Sequence, residues 1–469
     1  MLMTWGLAWA VNDPFFADWD SYDYTAAVIQ GTPSSLGLGR ALFLAGNRGL
    51  WLCAHELFNL APEQAYSVIK YGVIAQSGFA TLGCYALFRE VTAKGKAALW
   101  ATLLVALSPL YVVYSGRGMT EIPGLLMFSW SLWWVLRSLR LGKATTYLFA
   151  AFLFGLSANV REFAVFYLPV VGVAGWLYGF RWKRPLLATV VAICGVLAGP
   201  VWWAIAWPEY YLPAVRAWYE LSARERAHFP VTWRNGQVLV TYAALCSPVI
   251  FSLFPTVCCD FLQGMRRERQ RLLMGLLATF GFLSAMTLLV NHDLSVNPRY
   301  LLTSLPGLAP ICGLWMAEQK TINRREIWAL SVVLFLTSLT HMWIWLEKEQ
   351  WPQAYATRAY PERLGLLNDN AVFIVGRRTP LIDFYQKTGV RPRWQTIPFG
   401  AGWPDEQLEP AIDGYLQAGR TIYVDFAEPL WERALREHSR EAKGLGQIRR
   451  QYQLLNVSDT MYQIICRNP

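Results

Sequence analysis

Ten long apolar runs constrain this chain more than any other feature. They lie at about 66–88, 97–114, 119–139, 145–159, 162–180, 186–207, 237–258, 272–290, 301–317 and 326–346. A helix needs about 20 mostly apolar residues to cross the hydrocarbon core of a bilayer. Inside that core every backbone N–H and C=O must be satisfied within the fold, which favours helices. With the short apolar opening Met1–Val11, the runs predict about eleven spans. The opening has no basic n-region and no small-residue cleavage site, so it does not read as a secretory signal.

Composition points the same way. Of the 469 residues, 54% are hydrophobic and only 16% are charged, where a soluble domain carries about a quarter charged. The net charge is +10, which in a soluble chain would suggest nucleic acid. Here the basic residues stand in short clusters between apolar runs, a pattern that fits anionic headgroups and the setting of topology, and no nucleic-acid partner is expected. None of the eight cysteines forms a C-x-x-C pair and most lie inside apolar runs. Buried thiols are expected, not a disulfide framework or a zinc site.

Charge also sets orientation. Five short loops are basic: Arg89 with Lys94 and Lys96; Arg137, Arg140 and Lys143; Arg181, Lys183 and Arg184; Arg266, Arg267, Arg269 and Arg271; and Arg324 with Arg325. They alternate with loops of other character, so the basic set is placed in the cytoplasm. The outer set is then 12–65, 115–120, 160–161, 208–236, 291–300 and everything after about 347. This alternation requires the stretch 43–60, with Asn47, Arg48, His55 and Glu56, to lie along the outer surface as a helix. The loop 208–236 reads as an amphipathic segment over the membrane.

After Trp351 the character changes. Ala371–Val375 and Thr421–Asp425 look like short buried strands, with helical stretches at Thr379–Lys387, Asp405–Ala418 and Pro429–Glu437. Gln451–Leu455 and Met461–Cys466 read as closing strands. The expected architecture is a polytopic α-helical membrane protein over residues 1–348, followed by a small extracytoplasmic α/β domain over 349–469. Gly376-Arg377-Arg378 lacks the spacing of a phosphate loop, so no nucleotide is assigned.

The outer loops collect the residues able to do chemistry. The first holds Asp18, Asp20 and Asp23 among aromatic rings, a low-dielectric setting that suits a general base. A helix beginning near Asp20 puts Asp20 and Tyr24 on one face, four residues apart. The bland reading is an interfacial aromatic belt with solvated acids. In the second loop Arg117 and Glu121 are also four apart, Thr120 is a candidate N-cap, and Glu121 opens a helix ahead of Pro123. Capping plus a local ion pair would explain these equally well. The third loop brings Arg161 and Glu162. The fourth brings His292, Arg299 and Tyr300, with Arg299 suited to grip a phosphate through paired hydrogen bonds. Charge near a bilayer is costly, so acids and guanidinium groups gathered on one side suggest a site.

In order, these residues resemble the GT-C superfamily of integral-membrane glycosyltransferases, above all the aminoarabinose lipid A transferases and the protein O-mannosyltransferases. The likeness covers roughly residues 1–345. It rests on Asp20, Tyr24, Ala27 and Gly31 in the first loop, on Glu121 as the second acid, and on Arg299 and Tyr300 with Leu301, Leu302 and Pro306. Gly46-Asn47-Arg48-Gly49 stands where those families have a His/Lys-Pro-Pro stretch.

The resemblance implies transfer of a sugar from a polyprenyl-phosphate donor to a lipid, protein or polysaccharide acceptor outside the cytoplasm, with inversion at the sugar carbon. Asp20 would be the base, with Asp18 or Glu121 positioning acceptor or metal. Tyr24, Arg117, Arg161, Arg299 and Tyr300 would bind substrate, with Arg299 first among the partners of the leaving phosphate. No cofactor is assigned. A divalent metal ion stays open, with Glu56 and His292 as its candidate ligands. The setting would be the inner (plasma) membrane, with the terminal domain periplasmic. The rival reading is a transporter or flippase of lipid-linked sugars. It predicts charges deep inside spans and related halves, and the sequence has no internal repeat.

Overall fold

The computed structural model describes residues 1–13, 19–34, 40–213, 215–216, 219, 240, 243, 246–264, 269–291, 298–318, 324–347, 367–375, 379–398, 405–425, 440–457 and 461–467. The chain divides into two compact units. One comprises Met1–Pro14, Thr32–Cys53 and Ser67–Ala354; the other comprises Phe15–Gly31, Ala54–Tyr66 and Tyr355–Pro469. Two pieces of the first outer loop, 15–31 and 54–66, therefore belong with the terminal segment, not with the helices on either side of them.

The helices up to residue 206 are α1 (Leu2–Ala10), α2 (Trp19–Gln30), α3 (Ala41–Phe58), α4 (Ala65–Thr92), α5 (Gly95–Ala106), α6 (Pro109–Ser115), α7 (Glu121–Arg140), α8 (Ala144–Ser157), α9 (Leu168–Leu177) and α10 (Lys183–Ala206). Further helices run over Pro248–Gly264, Arg269–Asn291, Leu305–Glu318 and Arg324–Trp345. Each apolar run carries α-helix among its described residues, with breaks such as Leu107–Ser108. Among the described residues, three helices are long and apolar enough to cross a membrane: Lys183–Ala206, Arg269–Leu288 and Arg299–Glu318. The pair α5 and α6 makes a fourth if counted as one span bent by 64°. The bend has a local cause. Pro109 stands at the first position of α6, and Ser108 caps it by accepting from the Tyr111 amide at 3.3 Å.

One further run is interrupted: residues 162–167 form a 3-10 turn ahead of the ten-residue α9. Residues 298–304 form a second 3-10 turn that leads into Leu305–Glu318 within the span Arg299–Glu318. The thiols of Cys84, Cys246 and Cys312 are buried, whereas Cys53, Cys194 and Cys466 are exposed. Cys194 faces outward from α10, so the expectation of protein burial does not hold there.

The second unit is built on a five-stranded sheet of β1 (Ala371–Val375), β2 (Gln395–Pro398), β3 (Thr421–Asp425), β4 (Tyr452–Asn456) and β5 (Met461–Arg467), in the order β2-β1-β3-β5-β4. β1 pairs in parallel with β2 and β3, and β5 runs antiparallel to β3 and β4. Every residue of β1 is buried, as a central parallel strand requires when both faces are covered. One face packs Phe373, Val375, Phe384 and Trp394 together with Tyr22 and Ala26 of α2. The other face packs Val372, Ile374 and Ile422 with Leu408, Ile412 and Ile448. The acidic helix of the first outer loop is thus seated on the sheet through its tyrosine and alanine face. The Gln30 side chain adds a hydrogen bond to the Lys387 carbonyl at 2.7 Å.

Candidate active site

Charged groups of the first unit stand at both ends of α7. Its first turn carries Glu121 and its last turn carries Arg137 and Arg140, each at the end the helix dipole favours. Twenty residues span about 30 Å, close to the hydrocarbon thickness of a bilayer.

At the N-terminal end Glu121 faces two guanidinium groups from separate elements. Its carboxylate lies 3.0 Å from Arg161 and 3.6 Å from Arg299. Side-chain exposure is 3%, 1% and 8% respectively, so the group is shielded from water. Thr120 occupies the N-cap position but does not cap with its hydroxyl. That hydroxyl instead accepts from Arg161 at 2.9 Å and fixes the guanidinium in place. Tyr300 lies under both cations, with Arg161 at 5.4 Å and Arg299 at 5.5 Å from its ring centre. A cleft here is lined by Glu121, Leu125, Arg161, Phe163, Arg299, Leu302 and Thr303.

Packing makes the convergence possible. Gly124 stands one turn after Glu121, and a Cβ there would come within 2.5 Å of the Arg161 Cβ. Only glycine lets the Arg161 backbone approach α7 so closely. Below the cleft Phe128 packs against Phe163 and Tyr167, and the Tyr167 hydroxyl donates to the Thr303 carbonyl at 2.6 Å. This ties the turn carrying Arg299 to the turn after Arg161. Glu162 in turn pairs with buried Arg40 at 3.4 Å. Acid and arginine therefore alternate across four segments of the chain.

Arg117 is placed elsewhere. The spacing to Glu121 suggests a pair, but residues 116–120 are not helical, so four residues do not bring the two onto one face. Arg117 instead pairs with Asp13 at 3.5 Å, both fully buried, and lies 5.1 Å from the Tyr114 ring. Lys70 donates to the Asn12 side chain at 2.8 Å and to the Asp13 carbonyl at 2.6 Å. Sequence reading passed over Asp13 and Lys70. The available signals were an acid directly after the first apolar segment and a lone cation near the end of an apolar run.

In the second unit the Tyr24 hydroxyl donates to Asp20 at 3.4 Å, four residues apart on α2 as the pattern predicts. Tyr24 is fully buried and Asp20 half-buried. Asp23 neighbours Asp383, whose carboxyl accepts from Thr396 at 3.1 Å. Burial raises the pKa of Asp383 and the Asp23 charge adds to the rise, against the opposing pull of Lys387 and the Thr396 hydroxyl. Asp18 and His292 lie outside the described residues, as do the helix expected at 429–437 and most of 208–236. Glu56 is exposed on α3, and no group of three or more potential metal ligands exists among the described residues.

Residues 54–207 match the family model described as dolichyl-phosphate-mannose-protein mannosyltransferase. No curated protein matches the chain. Among solved structures, ArnT from Cupriavidus metallidurans bound to undecaprenyl phosphate is similar at a TM-score of 0.58 and 12% identity, over 99% of this chain and 96% of that one. The Archaeoglobus fulgidus oligosaccharyltransferase AglB, in complex with an inhibitory peptide and a dolichol-phosphate, is similar at 0.56 and 12% identity, over 98% and 73%. The same organism's oligosaccharyltransferase in complex with Zn and sulfate gives 0.55 and 11% identity, over 99% and 72%. At 11–12% identity these matches show that the chain shares the fold of those structures. The resemblance read from the sequence is borne out at that level.

Proposed function

We propose that this chain is a glycosyltransferase moving a sugar from a polyprenyl-phosphate donor to a lipid, protein or polysaccharide acceptor. The observation that carries the reading is the buried pair Arg161 and Arg299 converging from separate elements on one cleft. A leaving phosphate gains negative charge as the bond to the sugar carbon breaks. Preorganised donors in a water-poor site stabilise that charge far better than water does. Arginine is the residue type for it, since its planar fork meets phosphate oxygens in pairs. Tyr300 supports both guanidinium groups from below.

Asp20 is the proposed base. It takes the proton of the acceptor hydroxyl as that oxygen attacks the sugar carbon, the bond to the phosphate oxygen breaks, and the configuration inverts. Tyr24 orients Asp20 through its hydroxyl. Glu121 holds the two arginines in register and is the proposed second acid, and Asp18 is assigned to acceptor positioning. Arg117, paired with Asp13, is assigned to bracing the loop ahead of α7. No step is routed through a metal. The wider arrangement proposed is about eleven spans in the inner (plasma) membrane, with the α/β sheet of residues 349–469 on the extracytoplasmic side. Neither the fold nor the family-model match supports a transporter.

The test is turnover by the purified chain in nanodiscs against a panel of polyprenyl-phosphate sugars. Asp20→Asn and Arg299→Ala are each expected to lower turnover by about 100-fold or more. Full turnover in both variants would remove the assignment.

A further inference from the structure

The C-terminal end of α7 carries a second cluster that the transfer reaction does not use. Glu90, near the end of α4, is buried, with 4% of its side chain exposed. Its carboxylate forms ion pairs with Arg140 at 2.9 Å and Arg137 at 4.0 Å. The two arginines are half-exposed, at 48% and 40%, so both reach the surface of the protein. Tyr178, just after α9, stands within electrostatic reach of Glu90, Arg140 and Arg269, and the Arg269 guanidinium lies 5.0 Å from its ring centre. Three guanidinium groups from two helices therefore surround one buried carboxylate and one phenol.

An apolar track leads away from this cluster. α4 and α7 cross closely: a Cβ at Gly83 would come within 2.5 Å of the Ser129 hydroxyl, and Trp130 donates to the Phe79 carbonyl at 3.0 Å. Phe79, Leu82 and Tyr85 of α4 and Trp134 of α7 are exposed along this crossing, one to three turns from Glu90 and Arg137. An elongated molecule with an anionic head and hydrocarbon tails matches both parts. We propose that this end of α7 is a binding site for an anionic glycerophospholipid of the surrounding bilayer. Its phosphate is held by Arg137, Arg140 and Arg269, and its acyl chains lie along Leu82, Tyr85 and Trp134. Glu90 acts as a buried anchor that fixes the forks of Arg137 and Arg140 toward the headgroup. Basic pockets between membrane helices recognise lipid phosphates in this way.

The experiment uses the full chain in neutral detergent, with no sugar donor present, and reads lipid binding by native mass spectrometry. The probes are phosphatidylglycerol, phosphatidylcholine and soluble glycerol phosphate. Phosphatidylglycerol is expected to bind in preference to phosphatidylcholine, and glycerol phosphate not to bind. The double variant Arg140→Gln with Arg269→Gln is expected to lose about tenfold in phosphatidylglycerol binding. The control pair Arg181→Gln with Arg184→Gln removes the same charge from exposed positions at the start of α10 and is expected to keep the preference. Glu90→Gln separates a built site from diffuse attraction. It makes the surface more positive, so charge alone predicts tighter binding, whereas a site oriented by Glu90 predicts weaker binding. Equal loss in both double variants, tighter binding by Glu90→Gln, no preference between the two lipids, or binding of glycerol phosphate would each overturn the proposal.

Discussion

The two ends of α7 are built from the same parts and behave differently. Each has one glutamate and two arginines: Glu121 with Arg161 and Arg299 at the start, Glu90 with Arg137 and Arg140 at the end. At the start both arginines are almost wholly buried and come from different loops. At the end both lie on α7 itself, three residues apart, and half of each is exposed. Composition thus does not decide what a charged group does near a membrane. Burial raises the cost of an unmatched charge and with it the strength of any interaction with an anion. Exposure lets the same groups rehydrate and leaves them free to meet headgroups.

The largest expected difference concerns stability. Glu121→Gln leaves two buried guanidinium groups facing a neutral side chain, and the unfolding free energy should fall by about 3–5 kcal/mol. Glu90→Gln leaves arginines that water already reaches, and the fall should be about 0–1 kcal/mol. Denaturation midpoints of both variants in one detergent would check the order, and equal losses would break the comparison. Next comes the fork geometry. Arg161→Lys keeps the charge but loses the paired donors and the bond to Thr120, so donor turnover should drop by about tenfold. A smaller effect is expected from Gly124→Ala, whose added methyl pushes the Arg161 backbone away from α7; a drop of several-fold in turnover, with donor KM rising, follows from the displacement.

The smallest effect belongs to the second unit. The pKa of Asp383 is raised in the folded chain. A raised carboxyl contributes stability while protonated, below its unfolded value of about 3.9, and loses that contribution as pH rises through its folded value. Asp383→Asn should therefore increase hydrogen-exchange protection of Thr379–Lys387 slightly at neutral pH and not at pH 4. Equal protection at both pH values would show that burial does not raise the Asp383 carboxyl in the folded chain.

What the sequence made legible was local. The pairing of Asp20 with Tyr24 follows from helical periodicity, and the placing of Glu121 at a helix start follows from the acid ahead of Pro123. The run Ala371–Val375 shows itself as a buried strand by its unbroken apolar character. Pairings across the chain were not legible. Arg117 turned to Asp13 because the intervening loop is irregular, and the Thr120 hydroxyl serves Arg161 instead of a helix end. The seating of α2 on the sheet through Tyr22 and Ala26 depends on residues more than 300 positions away. No periodicity encodes such a partner. Span counting met a different limit, since Pro109 and the turn at 162–167 break runs that look continuous in one dimension.

The central claim is that Arg161 and Arg299 together receive the donor phosphate. Binding of undecaprenyl phosphate to the purified chain, with the double variant Arg161→Ala and Arg299→Ala beside the wild type, tests it most directly. A loss of about 100-fold in affinity is predicted, at about 1.4 kcal/mol per tenfold. Unchanged affinity in a variant that keeps its elution profile would contradict it.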